Sequence, residues 1–339
     1  MIQHAIAELL DRRDLARADA RAVMDEIMRG EATPAQIGGY LVALRLKGET
    51  ADEIAGSAEA LRDHVVPVRP HRDDLVDLAG TGGDGARTFN ISTAAALLAA
   101  AAGAAVAKHG NRAVSSASGS ADVLEALGFR LELRPSTIAR SIDELGFGFM
   151  FAPAHHPGFR HAAPVRRDLG ARTVFNVLGP LTNPAAARSQ LIGVYTDHLV
   201  GTIAEVLLRL GAHRAYVVHG TGGVDELSPA GPNVVAEVRD HHVREYVLDP
   251  LDLGIPRCDP AELQGGLPPE NAEIVRRILA GEEQGGRADA VLLNAGAALA
   301  ASGHVEDVRA GVELARETIA SGAAADRLVA LVRFSQEEE

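Results

Sequence analysis

From about residue 75 onward, short apolar runs alternate with segments whose apolar residues recur at helical spacing. The alternation predicts an α/β fold with a mainly parallel central sheet flanked by helices, because a helix between two strands returns the chain parallel to the first. Apolar alternation around residues 234–247 predicts an added antiparallel pair. Strands are predicted at residues 75–78, 104–107, 148–151, 190–194 and 215–219, and helices at 92–102, 121–127 and 199–210.

The first 66 residues have a different pattern, typical of a cluster of helices. Asp14 is predicted to cap one helix, and Thr33-Pro34 combines an N-cap with proline at the first helical position. Thr50 and Glu53 have the spacing of a capping box. Gly38-Gly39 inside the third predicted helix is costly in isolation. Either a neighbouring helix, in this chain or a second subunit, approaches closely there, or the helix breaks.

Composition excludes several classes of protein. A net charge of −13 argues against a general nucleic-acid binder, which usually needs a basic surface. Cys258 is the only cysteine, so internal disulfides are excluded, and we expect a reducing, cytoplasmic location. The N-terminus shows no basic segment followed by an apolar one, and no apolar run is long enough to suggest a membrane span.

A glycine-rich loop follows the first predicted strand, with the sequence Gly80-Thr81-Gly82-Gly83-Asp84-Gly85. Closely spaced glycines let backbone N–H groups approach an anion. The letters also satisfy the dinucleotide fingerprint G-x-G-x-x-G, which expects an acidic residue near the end of the second strand. Here that strand leads instead into the basic segment Lys108-His109-Gly110-Asn111-Arg112. The loop is therefore interpreted as a phosphate-binding loop of another kind.

Two further polar segments belong to the same prediction. Asn90, Ser92 and Thr93 begin a predicted helix, where free N–H groups and hydroxyls can hold phosphate, and a serine-rich loop at residues 115–120 follows the basic segment. Loops after adjacent parallel strands converge at one edge of a sheet. The pair Asp225-Glu226 follows a later strand and suits Mg²⁺, which often takes only one or two protein oxygens and the rest from phosphate and water.

Six motifs taken together resemble the anthranilate phosphoribosyltransferase family of tryptophan biosynthesis, in the family's order and over nearly the whole chain. Pyrimidine nucleoside phosphorylases share that architecture but have other loops after the first two strands. A nucleic-acid-binding paralogue would need a basic groove. The motifs are Gly80-Thr81-Gly82-Gly83-Asp84, Asn90-Ile91-Ser92-Thr93, Lys108-His109-Gly110-Asn111-Arg112, Gly119-Ser120-Ala121-Asp122, Leu178-Gly179-Pro180-Leu181-Thr182-Asn183-Pro184 and Asp225-Glu226.

The resemblance implies a small helical domain, residues 1–66 plus about 168–188, hinged to a larger α/β domain, residues 72–165 plus 189–335. It implies transfer of phosphoribose from phosphoribosyl pyrophosphate (PRPP) to the amine of anthranilate, with release of pyrophosphate. Two Mg²⁺ ions per active site and a homodimer formed through the N-terminal helices are also implied. A nucleoside phosphorylase and a nucleic-acid-binding paralogue remain the alternatives.

The resemblance also assigns roles to residues. Catalytic roles fall to Lys108, His109, Asp225 and Glu226, and metal binding to Ser92, Asp225 and Glu226. Anthranilate would contact Gly80, Asn111, Arg166, His156 and Phe159, with Arg166 facing the carboxylate rather than its neighbour Arg167. The predicted PRPP-binding residues are Gly80, Gly83, Asp84, Thr88, Asn90, Ile91, Ser92, Thr93, Lys108, His109, Gly110, Asn111, Arg112, Ala113, Val114, Ser115, Ser116 and Ser120.

Overall fold

The computed structural model describes residues 1–113 and 117–337. The strands are β1 Leu75–Gly80, β2 Ala105–Gly110, β3 Phe147–Phe151, β4 Ser189–Gly193, β5 Arg214–His219, β6 Asn233–Arg239 and β7 His242–Leu248. The helices are α1 Ile2–Leu10, α2 Arg17–Met28, α3 Pro34–Lys47, α4 Ala51–Asp63, α5 Ile91–Ala101, α6 Ser120–Leu127, α7 Pro135–Leu145, α8 Ala152–His155, α9 Phe159–Leu169, α10 Phe175–Leu178, α11 Leu199–Arg209, α12 Pro268–Leu279, α13 Gly286–Ala301, α14 Val308–Ala320 and α15 Ala323–Glu337.

Helices α1 to α4 form a bundle in which α2 packs on α4 and α1 on α3. The predicted caps of α3 and α4 are confirmed, because Thr33 and Thr50 each form a capping box with the residue three positions on. Helix α3 is continuous through Gly38 and Gly39, which lie against α9 and α1 of the same chain. The helix break considered for this pair is therefore wrong.

The predicted cap at Asp14 is also wrong. Helix α2 begins at Arg17, and its N-cap Ala16 offers no side-chain oxygen. Asp14 instead accepts a hydrogen bond from Lys47 Nζ at 2.6 Å, and Glu53 accepts another at 2.9 Å. The buried Lys47 ammonium needs such partners, and this requirement draws Asp14 away from the helix end.

A seven-stranded sheet of order β3-β2-β1-β4-β5-β6-β7 forms the centre of the α/β domain. The first five strands in this order are parallel, and β6 and β7 are added antiparallel. Helices α5 and α13 cover one face, whereas α11 and the bundle cover the other. The predicted fold class is confirmed, as are the five predicted strands and the antiparallel pair.

The strand boundaries differ from the prediction by one to three residues, and the largest difference is at the end of β2. The second strand was expected to end at Ala107, but β2 continues to Gly110 because it pairs with β3 as far as Gly110 and Phe151. Lys108 and His109 therefore lie within the sheet rather than in a loop beyond it. Among the described residues, none of the helices combines the length and apolar character needed to cross a bilayer.

Candidate active site

The site centres on the carboxyl ends of β1 and β4. Strand β1 has β2 on one side and β4 on the other, and α5 and α11, which follow β1 and β4, pack on opposite faces of the sheet. Such a reversal opens a crevice at the strand ends. Gly80 and Gly193 are paired there, and Asp225 lies against both. A Cβ added at Gly80 would lie 2.2 Å from Asp225 Oδ2, and one at Gly193 would lie 1.4 Å from Asp225 O.

The glycine loop is fastened to Asp225. The Gly82 N–H donates to Asp225 Oδ2 at 2.6 Å, and the Asp225 N–H donates to Asp84 Oδ2 at 3.3 Å. Since residues 82 and 225 come from distant parts of the sequence, this contact brings the predicted phosphate loop and the predicted carboxylate pair together in one site.

Glu226 reaches the start of α5, where Ser92 is the second helical residue. Thr88 Oγ1 donates to Glu226 Oε2 at 3.5 Å. Burial raises the pKa of Glu226 well above its usual range, Asp225 and Asp84 add to the effect, and the Ser92 amide partly offsets it. A free helix N-terminus carries partial positive charge, which explains the favourable Ser92 contribution. The three residues predicted to bind metal are therefore neighbours.

The pKa of Asp225 is raised for the same two reasons, burial and a neighbouring carboxylate. Burial, together with the nearby Asp84 carboxylate, raises the pKa of Asp225 to about 7. A cation between these carboxylates would relieve both desolvation and repulsion. The described residues contain no group of three or more His, Cys, Asp or Glu side chains that could hold a metal alone. The donor set therefore fits Mg²⁺ that arrives with a diphosphate, which supplies the remaining oxygens.

The start of α5 is joined to the loop after β2. Asn90 Nδ2 donates to Ser118 O at 3.1 Å, and Ser118 Oγ donates back to Asn90 Oδ1 at 3.0 Å. Ser120 Oγ donates to Asn111 O at 3.2 Å. Sequence reasoning missed Asn271, whose Nδ2 also donates to Asn90 Oδ1. Of the predicted PRPP-binding residues, Val114, Ser115 and Ser116 lie outside the described residues.

Two basic side chains predicted to bind PRPP, Lys108 and Arg112, already have hydrogen-bond partners within the protein. Lys108 is 2% exposed, and its Nζ donates to Leu78 O of β1 at 2.6 Å. Burial lowers its pKa, which Asp77, Glu226 and Asp225 partly offset. Arg112 lies over the α6 acids, with Nη1 at 3.0 Å from Asp122 and 2.8 Å from Glu125. Arg112 would have to change partners to bind a phosphate through its terminal nitrogens, whereas the Lys108 ammonium keeps further N–H donors beside its bond to Leu78 O.

A band of rings leads from β2 to α9. His109 Nε2 lies 3.1 Å from His156 Nε2, and the Phe159 ring centroid is 5.3 Å from that of His156. Phe175, which sequence reasoning missed, lies 5.5 Å further along, and Arg166 Cζ lies 5.0 Å from its ring centroid. Phe175 could not be distinguished in the sequence from an ordinary core phenylalanine. The structure thus joins the predicted anthranilate-binding residues His156, Phe159 and Arg166.

The histidines in this band are neutral near pH 7. Burial lowers the pKa of His109 to about 3, helped by the neighbouring His156 and His155, and lowers that of His156 to about 4. Two neutral imidazoles can share one hydrogen bond, with one ring donating to the other.

Arg166 and Arg167 differ in environment. The Arg166 side chain is half-buried and makes no ion pair or side-chain hydrogen bond with the residues the structure describes, and burial lowers its pKa. Arg167 is exposed. A partly desolvated guanidinium without a counter-ion favours binding of an anion, and a planar carboxylate matches its geometry. Arg166 is therefore the better placed of the two for an anionic ligand.

Arg172, also missed from the sequence, joins the two sides of the site. It lies between α9 and α10, its Nη2 donates to Gly83 O, and its Cζ lies 4.2 Å from the Tyr195 ring centroid. Tyr195 N donates in turn to Thr81 Oγ1 at 3.1 Å. The segment after α9 is thereby attached directly to the glycine loop.

Comparison with known proteins agrees with this architecture. A model of the glycosyl transferase family, helical bundle domain, matches residues 3–65, and the family's a/b domain model matches residues 72–325. An anthranilate phosphoribosyltransferase of Anaeromyxobacter sp. (strain Fw109-5) is 55% identical over 336 residues, or 99% of each chain.

Solved structures give the same result. The crystal structure of anthranilate phosphoribosyltransferase from Thermus thermophilus has a TM-score of 0.93 and 50% identity, covering 98% of this chain and 99% of that one. The enzyme from Saccharomyces cerevisiae in complex with PRPP and Mg has a TM-score of 0.89 and 28% identity, covering 99% and 98%. With both domain models matched and a full-length relative 55% identical, the chain belongs to the glycosyl transferase family and, within it, to the anthranilate phosphoribosyltransferases.

Proposed function

We propose that this protein transfers the phosphoribosyl group of PRPP to the amine of anthranilate in L-tryptophan biosynthesis, giving N-(5-phosphoribosyl)anthranilate and pyrophosphate. The observation that carries the proposal is the pairing of two complementary half-sites. The glycine loop and Asp225-Glu226 suit a metal-bound diphosphate, whereas Arg166, at the far end of the ring band that begins at His109, suits an aromatic carboxylate. Relatives over 50% identical carry the same activity in their names.

The diphosphate half-site would hold PRPP with Mg²⁺. Ser92 and Glu226 would hold one ion and Asp225 with Glu226 a second. The yeast relative solved with PRPP and Mg supports magnesium as the metal. Bound there, Mg²⁺ would neutralise charge that develops on the leaving pyrophosphate. The positive end of the α5 dipole would stabilise phosphate oxygens. Lys108 would add positive charge from beneath the strand ends.

The chemistry needs positioning more than acid–base catalysis. As the bond to pyrophosphate breaks, the anomeric carbon gains oxocarbenium-like character, as in other glycosyl transfers. The aromatic amine of anthranilate is neutral at pH 7 and can attack that carbon directly, and it then releases one proton to water as pyrophosphate leaves. His109 at the end of β2 is neutral and its ring is already hydrogen-bonded to His156 and to the Gly179 backbone, so it would line the site beside the amine rather than transfer a proton. Holding the two reactants in line supplies much of the rate enhancement.

Loss of anthranilate fluorescence on addition of PRPP, Mg²⁺ and the protein tests this function. We expect continuous loss that depends on all three components. Parallel reactions with uridine or thymidine plus phosphate test the nucleoside phosphorylase alternative, and a DNA-binding titration tests the paralogue. The proposal fails if anthranilate fluorescence is unchanged while one of those reactions proceeds.

The arrangement of domains supports a hinged pair. We propose a small domain of residues 1–66 plus about 168–188 and a large domain of residues 72–165 plus 189–335. Helix α10 packs on α4 of the bundle, which supports the return of the chain to the small domain. The Arg172 contact with Gly83 would couple the small domain to the glycine loop as the cleft closes.

A single cysteine and a biosynthetic activity support a cytoplasmic location for the protein.

An exposed apolar surface on the bundle supports a homodimer. Leu46 is 73% exposed and Val42 39% on α3, on the same helix face as the exposed Ala35 and Gly39, and Leu10 is 71% exposed on the adjoining α1. Contiguous apolar surface of this kind usually marks a protein contact. We propose that two copies associate through α1 and α3.

Charge placed on this surface is expected to separate the dimer. Leu46→Arg should shift the molar mass measured by light scattering from that of two chains to that of one, because a buried unpaired guanidinium is costly. Leu251→Arg is the matched control, since Leu251 is 54% exposed far from the bundle surface. A monomeric parent protein, or a Leu46→Arg protein that stays dimeric, would refute this interface.

A further inference from the structure

Strands β1 and β2 separate before they reach the site. Their ladder pairs Leu75 with Ala105 and Val76 with Val106, and no further pair is formed between them. Both strands continue, because β1 stays paired with β4 to Gly80 and β2 stays paired with β3 to Gly110. The β1–β2 gap, between residues 77–80 and 107–110, therefore opens toward the carboxyl edge of the sheet.

Side chains fill the β1–β2 gap and satisfy the backbone groups that the ladder has lost. Asp77 Oδ1 accepts from the His109 N–H at 3.2 Å, and Asp77 Oδ2 accepts from Asn183 Nδ2 at 2.7 Å. Asn183 Nδ2 also donates to Ala107 O at 2.8 Å, and Lys108 Nζ donates to Leu78 O at 2.6 Å. Buried backbone groups need such partners, so the gap is stable as built.

The components of this filling are deeply buried. Asp77 and Asn183 are 0% and 4% exposed, and the positive charge of Lys108 acts favourably on the Asp77 carboxylate. Asn183 belongs to the segment between α10 and β4, and its Oδ1 accepts from the Ala185 N–H at 2.8 Å. The hydrogen bond to Ala185 holds the Asn183 side-chain amide in place. The amide thus enters the β1–β2 gap from a segment outside the sheet.

Above the gap lie the two loops assigned to PRPP. Gly80 at the end of β1 and Asn111 after β2 are both exposed, and the glycine loop and the Asn111–Ala113 turn begin on either side. If β1 and β2 stayed paired to their ends, these loops would start a strand spacing of about 4.8 Å apart, and the crevice between them would be narrower. The filling therefore sets the width of the crevice.

We propose that Asp77 and Asn183 are positioning residues that hold the ends of β1 and β2 apart, so that PRPP can enter between the glycine loop and the Asn111–Ala113 turn. The inference rests on the proposed function and deepens it. Both side chains are buried below the strand ends. They act through the strand ends, and Asp77 additionally fixes the backbone of His109.

Asn183→Ala tests this role. It removes both donations into the gap, from Asn183 to Asp77 and to Ala107, and lets the strand ends shift. We expect calorimetry with Mg²⁺ to show PRPP affinity weakened about tenfold, as for loss of one or two buried hydrogen bonds. The KM for anthranilate at saturating PRPP should change less than about threefold, since the ring band and Arg166 keep their contacts. Asn183→Ser retains one hydroxyl donor and should show a smaller loss in the same direction.

Gln190→Ala is the matched control. Gln190 is 1% exposed, and its Nε2 donates to Pro180 O at 2.8 Å, so its loss also removes a buried amide contact to the segment between α10 and β4. It lies outside the β1–β2 gap. We expect Gln190→Ala to lower the melting temperature about as much as Asn183→Ala does. Its PRPP affinity should stay close to that of the parent protein.

The outcomes separate the two proposals. The positioning role is supported if Asn183→Ala weakens PRPP affinity and Gln190→Ala does not. If Asn183→Ala does not fold, Asn183→Ser takes its place in this comparison. Parent-like PRPP affinity in the Asn183 variants, or an equal loss in Gln190→Ala, overturns the positioning role while the proposed function stands. A parent protein that neither binds PRPP nor consumes anthranilate overturns the proposed function itself.

Discussion

Replacing Asp225 with Asn and Glu226 with Gln in one protein should lower kcat by about 10³-fold or more. Both carboxylates lie beside the glycine loop and the start of α5, where the diphosphate is proposed to bind with Mg²⁺. Amides keep the shape but remove the two charges that would hold the cation. Loss of charge stabilisation at a leaving group costs about 10² to 10³ per interaction, and here two are lost. Steady-state fluorescence assays across a Mg²⁺ titration measure the effect.

The same variant should be more stable than the parent without metal, which excludes unfolding as the cause of inactivity. Because the folded-state pKa of Asp225 is raised to about 7 from 3.8, the folded protein keeps a proton that the unfolded chain releases between about pH 4 and pH 7. Stability is therefore lost as the pH rises through that window, and the cost is complete above it. In EDTA at pH 8 we expect a melting temperature roughly 2 °C above the parent's, and a smaller difference at pH 5.

Asp289→Asn is the control for this pair. Burial also raises the pKa of Asp289, on α13 away from the glycine loop, so the substitution likewise removes a desolvated carboxylate. We expect it to leave kcat and the Mg²⁺ requirement unchanged. Parent-like turnover and Mg²⁺ dependence in the Asp225 and Glu226 double variant would show that the metal assignment is wrong.

The diphosphate half-site could be predicted because its signals are local. The glycine loop follows β1 directly, Asp225-Glu226 follows β5 after the short turn at residues 220–224, and parallel strands bring their carboxyl ends to one edge. Their contact could not be seen in the sequence. It depends on Gly193, whose missing side chain gives Asp225 its place and which looks like an ordinary strand end when read alone.

The β1–β2 gap could not be predicted for a similar reason. Asp77 and Asn183 are 106 positions apart in the sequence and meet only in the folded chain. The second strand was predicted to end before Lys108, because a lysine is rarely buried in a strand. The pairing of β2 with β3 and the Leu78 carbonyl, which accepts a hydrogen bond from Lys108 Nζ, explain why this lysine is buried here. Tertiary pairing, rather than local preference, determined each of these features.

Arg166→Ala should raise the KM for anthranilate about 100-fold, with little change in the KM for PRPP. The half-buried guanidinium makes no ion pair with the described residues and lies against Phe175, so the proposed carboxylate of anthranilate would be its main partner. Truncating one member of a desolvated charge pair costs about 2–5 kcal/mol, and 100-fold corresponds to ~2.7 kcal/mol. Arg166→Lys should recover part of the loss, because it keeps a positive charge at this position. The recovery should be incomplete, because an ammonium cannot bind both carboxylate oxygens in parallel.

Two comparisons make this assignment specific. Arg167→Ala, one residue away and exposed, should leave the KM for anthranilate near the parent's value. With aniline, which lacks the carboxylate, the parent and the Arg166→Ala protein should be equally slow, because the interaction that Arg166 supplies is absent from both reactions. If Arg166→Ala slows aniline as much as anthranilate, Arg166 shapes the pocket rather than binding the carboxylate. If instead Arg167→Ala raises the KM for anthranilate, the neighbouring arginine is the one that binds.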